Sequence, residues 1–128
     1  LHRLIRRQRQ MCIRDSSYTM NMTSIKYGVA SINDKAYFEE CVDKIITTRE
    51  KAKKSLSELG FTFPDSKANF IFAAHKSVPA KEIFEKLKEK KIFVRYFNQP
   101  GIDNYLRITV GTDEQMDKLM EALSEIVG

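Results

Sequence analysis

The chain has 128 residues, 42% hydrophobic and 30% charged, which is one domain's worth with a real core and unlike a disordered chain. No apolar run approaches the ~20 residues a membrane-spanning helix needs. The formal charge of +5 suggests a nucleic-acid binder until it is divided: residues 1–16 hold five arginines and one aspartate, and the rest holds 17 basic and 16 acidic side chains with interspersed signs.

After the arginine-rich opening, Asn33 to Gly60 reads as a long amphipathic helix. Phe38, Cys41, Val42, Ile45, Ile46, Ala52, Leu56 and Leu59 recur at three- and four-residue spacing, Asn33 or Asp34 can cap the start and Gly60 supplies the stop. Pro64-Asp65-Ser66 signals a turn, and ANFIFAA (68–74) is a continuous apolar run of strand length, the pattern of a strand buried on both faces. Ser77 to Lys91 is a second helix, with Pro79 near its first turn and Ile83, Phe84 and Leu87 inward. IFVRYF (92–97) and YLRITV (105–110) are the clearest strands, separated by the loop NQPGIDN (98–104). Thr112 to Gln115 is a capping box opening a last helix whose Met116, Leu119, Met120, Leu123, Ile126 and Val127 face inward. The order is that of an α+β domain, a small sheet covered by helices.

The chemistry concentrates in FVRYF and YLRIT. If these strands pair across the 98–104 loop, Arg95 and Arg107 can lie on the same side of the sheet. A guanidinium stays charged and presents a planar fork suited to carboxylate or phosphate. A cation on a partly covered face needs an anionic partner, and Asp103, the nearest acid in sequence, meets part of that demand at most. The alternative is that both arginines lie on a solvated face. Asn69 either orients a ligand or closes a turn, and Tyr18 and Tyr27 read as packing residues. His75 reads as a loop histidine without metal-ligand spacing, and Cys41 as a buried thiol on an apolar helix face. No glycine-rich phosphate loop, nucleophile elbow or carboxylate pair is present, and no metal site is expected.

The motif order DSKANFIF, KKIFVRYF and IDNYLRITVGTDEQMDKLMEAL resembles the C-terminal end of histidinol-phosphate aminotransferases, members of the class I/II, fold type I, pyridoxal-phosphate-dependent aminotransferases. The resemblance runs from about Tyr18 to Gly128. It implies that 33–128 is the small C-terminal domain and 17–32 a remnant of the interdomain segment. It also implies that Arg107 matches the arginine gripping the substrate carboxylate and Arg95 a second arginine at the substrate's anionic end. Asn69 falls in the family's S-x-x-N-F segment, and SYTMN (17–21) is similar to its Y-N-x-N segment, matching at Tyr18 and Asn21. Ile25, Lys26 and Tyr27 depart from the residues that follow that segment in the family. The Schiff-base lysine and the other cofactor-binding groups belong to the preceding domain, so no residue of this chain is assigned catalysis or pyridoxal phosphate binding. A phosphorylated amino alcohol or amino acid and a 2-oxo acid are the implied substrates. A homodimer in the cytoplasm is the implied setting, without nucleic acid or membrane. An aromatic amino-acid aminotransferase or a phospho-amino-acid decarboxylase is the alternative within the class. A stand-alone RNA- or anion-binding module is the alternative outside it. The opening RRQRQMCIRDS resembles a translated sequencing-adapter peptide, so residues 1–16 are expected to be non-native or disordered.

Overall fold

A computed structural model describes residues 20–128. The expectations for residues 1–16 and for Tyr18 lie outside them. The described residues fall into two compact units, 20–38 and 39–128.

In the first unit, helix α1 (Met22–Asn33) is capped by Asn21, whose Oδ1 accepts from the Ser24 N–H at 2.7 Å. Asp34 ends α1 and opens α2 (Lys35–Glu58): its N–H donates to the Ala30 carbonyl, and its own carbonyl and Oδ1 accept from Phe38 and Tyr37. Helix α1 has no counterpart in the sequence reading and no buried residue; Tyr27, read as a packing residue, is exposed.

The second unit holds the sheet. Strands β1 (Phe61–Thr62), β2 (Phe70–His75), β3 (Arg95–Tyr96) and β4 (Leu106–Thr109) pair antiparallel in the order β1-β2-β4-β3. Helix α3 (Ala80–Glu89) lies between β2 and β3 in sequence, and α4 (Asp113–Val127) follows β4. One face of the sheet contributes Ile71, Ala73, Leu106 and Ile108 to a single core. Ala52 and Leu56 of α2, Ile83 and Leu87 of α3, and Met116, Leu119 and Leu123 of α4 fill the rest. The arrangement is the expected α+β one, but the helices cover that face alone. Phe70 and Phe72, which alternation turns to the other face, are half-buried, so β2 is not buried on both sides as its apolar run suggested.

Two further expectations shift. The apolar stripe of the long helix enters the core only from Thr48 onward. Upstream, Ile45 and Ile46 are 39% and 41% exposed, Phe38 is more so, and Cys41 is half-buried. In IFVRYF only Arg95 and Tyr96 join the ladder. The preceding residues are taken up by the end of α3: the Ile92 N–H reaches back to the Leu87 carbonyl and Lys91 turns left-handed at φ 60°, the hydrogen-bonding of a Schellman stop.

The last helix forms as its sequence foretold. The Thr112 hydroxyl accepts from the Gln115 N–H, and the Gln115 side chain accepts from the Thr112 N–H. At α3 the cap comes from a distance, since Pro79 offers no side-chain acceptor and Asn104 of the 98–104 loop takes the Ala80 N–H instead. That contact ties the loop between the two arginine strands to the helical layer. Gly60 ends the preceding turn at φ +85°, where a Cβ would also stand 3.3 Å from the His75 ring.

Candidate anion site on the open sheet face

Strand register brings the two arginines together. Arg95 is the direct cross-strand partner of Arg107, and Arg107 is in turn the partner of Phe72. Directly opposed residues of an antiparallel pair project to the same face, so the two cations share the face the helices leave uncovered. Like charges so placed repel unless something negative lies between them.

Nothing in the described residues supplies that charge. Neither arginine takes part in any of the ion pairs that link the other cations to carboxylates. Asp103 is exposed in its loop and pairs with neither. The Arg107 Nε is buried and has no hydrogen-bond partner among the described residues. A buried N–H without an acceptor carries a desolvation cost of about 1–3 kcal/mol, more for a charged group, which an incoming anion would remove.

Aromatic rings form the floor. The Arg107 Cζ lies 4.3 Å from the centroid of the Phe70 ring, and the Arg95 Cζ 5.5 Å from that of Phe97. Phe72 stacks on Tyr105 at 4.7 Å, nearly parallel, and meets Phe97 at 6.4 Å. Beside Phe72 and Tyr105 opens a cleft of about 470 Å³, walled by Thr62, Phe63, Pro64, Gly101 and Ile102.

The turn before β2 is braced from several directions. The Ser66 hydroxyl donates to the Phe70 carbonyl at 2.6 Å and accepts from the Ala68 N–H, and Arg49 of α2 donates to the Ala68 carbonyl. Lys53 lies 2.6 Å from Asp65 and 3.1 Å from Glu50. Hydrogen bonding to Lys53 holds the Asp65 carboxyl below its ordinary range, and hydrogen bonding to Asp65 raises the Lys53 ammonium. Ser66, rather than Asn69, closes this turn. Asn69 is exposed, and its backbone carbonyl accepts from Val110 at 2.8 Å, extending the β2–β4 ladder.

The other sequence candidates have partners of their own. The Asn21 side chain is engaged in capping α1. His75 binds the Leu59 carbonyl through Nε2 and accepts the Ser77 and Val78 N–H groups at Nδ1, so both ring nitrogens serve the backbone. No group of three metal-ligating side chains occurs among the described residues.

Sequence reasoning missed Phe70, Phe97, Arg49 and Ser66. A signal existed for Arg49: with Ile45, Ala52 and Leu56 it continues the apolar stripe of α2, an anomalous place for a cation without a partner. Phe70 could have been placed with Arg107 only by knowing the β2–β4 register.

The family model "Aminotransferase class I and II" matches residues 2–123. The chain belongs to this family. The match takes in most of the arginine-rich opening that composition sets apart. A histidinol-phosphate aminotransferase of Brachyspira hyodysenteriae is 50% identical over 112 residues, 88% of this chain and 32% of that protein. The chain thus spans about a third of the length of such relatives. The structure of histidinol-phosphate aminotransferase from Sinorhizobium meliloti in complex with pyridoxal-5'-phosphate superposes with a TM-score of 0.71 at 25% identity, over 77% of this chain and 28% of that one. A decarboxylase from Sulfurospirillum multivorans shares the fold, with a TM-score of 0.79 at 19% identity over 96% of this chain and 37% of its own. No helix among the described residues is long and apolar enough to cross a membrane.

Proposed function

We propose that this chain is the substrate-anchoring small domain of a histidinol-phosphate transaminase, which moves an amino group between histidinol phosphate and 2-oxoglutarate. Residues 33–128 form that domain, 17–32 derive from the interdomain segment and 1–16 lie outside the native sequence. The observation that carries the reading is the Arg95–Arg107 pair, two cations in direct cross-strand register with a buried Arg107 Nε lacking an acceptor. Arg107 grips the substrate carboxylate where there is one, as in the 2-oxo acid. Arg95 helps hold the anionic end, the phosphate of histidinol phosphate, which has no carboxylate, or the second carboxylate of the 2-oxo acid. Guanidinium suits both because its fork meets two oxygens at once. Asn69, and on the resemblance alone Tyr18 and Asn21, are the further substrate contacts we assign.

Pyridoxal phosphate serves the whole enzyme as the electron sink of amino transfer. The open face does not fit it: FIFAAH, RY and LRIT carry neither a lysine nor an aspartate to hold a pyridine ring. The sheet therefore contributes anion binding and orientation, and the cofactor belongs to the remaining two-thirds of the protein. A homodimer in the cytoplasm completes the reading.

The fold shared with a decarboxylase supports a second reading within the class, in which the same arginines hold a phospho-amino acid or, with Arg95 idle, an aromatic amino acid. The deciding experiment replaces the matching third of the Brachyspira hyodysenteriae enzyme with residues 17–128. We expect transamination of histidinol phosphate to be preferred over that of phenylalanine. Arg95→Ala should cost the phosphorylated substrate at least tenfold more in kcat/KM than the phosphate-free one, the scale of a lost charge-assisted bond of about 1.5–3 kcal/mol. A preference for phenylalanine, or equal losses on both substrates, would sink the histidinol-phosphate reading.

A further inference from the structure

We propose that Phe70 is the positioning residue of the anion site: its ring fixes the Arg107 guanidinium, and Arg49 and Ser66 fix the turn that carries the ring. The inference rests on the reading of Arg107 as an anion-binding group and goes beyond it by saying how a long, flexible side chain is held ready. An arginine stem has several rotatable bonds, and a fork aimed before the ligand arrives loses less freedom on binding.

The geometry supports each link. The guanidinium carbon sits 4.3 Å from the Phe70 centroid, well within the ~6 Å reach of a cation–π contact. Covering one face of the planar group with a ring leaves its N–H edges as the part able to meet oxygen. Among those edges, Nε is buried and has no acceptor. Phe70 itself has little latitude. It pairs with Thr109 in the ladder, and its carbonyl accepts from Ser66 at 2.6 Å. One residue before it, the Asn69 carbonyl accepts from Val110, and the Ala68 carbonyl accepts from Arg49, which is only 7% exposed. Arg49 divides its guanidinium between this carbonyl and the Glu50 carboxylate one residue on in α2, 3.2 Å from its Nε, so the turn is tied to a charge-paired group anchored on the helix. The turn sets the entry of β2, and through it the ring beneath Arg107.

The test uses the 128-residue chain and NMR of the arginine Nε–Hε groups, with succinate as the dicarboxylate probe. In the wild-type chain the Arg107 Hε should be displaced from the free-arginine position by the Phe70 ring and should exchange slowly with solvent. Phe70→Leu should abolish the displacement and weaken succinate binding about three- to tenfold, while Phe70→Tyr restores both. If Phe70→Leu does not fold, as judged by its melting transition, the same pair of measurements on Phe70→Met decides. An undisplaced Arg107 Hε in the wild-type chain would overturn the proposal. So would a wild-type chain that does not bind succinate, a folded Leu or Met variant that binds it as tightly as wild type, or a Tyr variant no better than the Leu one. The Hε signature needs no substrate. It can therefore fail while the transaminase reading stands, and a chimera inactive on histidinol phosphate would leave it intact.

Discussion

The two faces of this sheet are built from alternate residues of the same short strands and do opposite things. Toward the helices, β2 and β4 turn Ile71, Ala73, Leu106 and Ile108, all essentially without exposure. Toward the open side the alternate positions carry Phe70, Phe72 and Arg107, with Arg95 opposite. The covered face gains stability by excluding water from apolar surface. The open face gives some up by keeping two like charges in register and one buried N–H unpaired. Fold stability and anion affinity should therefore respond to different substitutions a single residue apart along β4.

The largest effect belongs to the covered face. Leu106→Ala should cost about 3 kcal/mol of unfolding free energy in a denaturant titration, the range for a fully buried leucine. A loss below 1 kcal/mol would mean that the helices do not pack as described. Its neighbour gives the counterpart: Arg107→Met, which keeps an apolar stem over Phe70, should leave stability within about 1 kcal/mol of wild type. In the chimeric enzyme it should lower kcat/KM about 100-fold, the equivalent of about 2.7 kcal/mol. A large loss of stability with little loss of activity would reverse the roles of the two faces.

A smaller effect tests the covering layer. Thr112→Ala removes one half of the α4 capping box and should cost about 1 kcal/mol, with succinate affinity of the folded chain unchanged. The smallest concerns the turn leading to the open face. The Asp65 carboxyl lies below its ordinary value in the folded chain because of Lys53. Its contribution is therefore fully present above the ordinary aspartate range and is lost as pH falls through the lowered folded value. Asp65→Asn should lower the melting temperature slightly near neutrality and flatten its decline below about pH 4, so that variant and wild type converge in acid. A flattening seen instead near pH 6 would assign the decline to another group.

What the sequence made legible followed from local rules. The Thr112–Gln115 box, the inward stripe of Met116, Leu119 and Leu123, and the two arginine strands all rest on patterns contained within a few residues. The pairing of Arg95 with Arg107 on one side was accessible too, because a seven-residue loop between two strands leaves few ways to pair them. What failed depended on distance. Ile45 and Ile46 carry the same helical periodicity as Ala52 and Leu56, and only the reach of the sheet decides which pair is buried. IFVRYF has the composition of a six-residue strand, but the stop of α3 claims its first residues. Helix α1 escaped notice because its apolar residues meet no core that would give them a face. Phe70 bears on the site through register, and Arg49 through a carbonyl 19 residues further along the chain; the apolar stripe of α2 marked Arg49 as unusual, but no local pattern encodes either partner.

The opposed guanidinium pair has a thermodynamic consequence for the chain as a whole. Its two forks meet only when β3 and β4 are zipped, so an anion bridging them recognises the folded chain and ignores the unfolded one. Occupancy and folding are then linked equilibria: at one hundred times the dissociation constant, a bridging ligand adds about 2.7 kcal/mol to the stability of the fold. An anion held between the two forks would in that sense be a structural component of the fold, and the chain would be most completely folded with it bound.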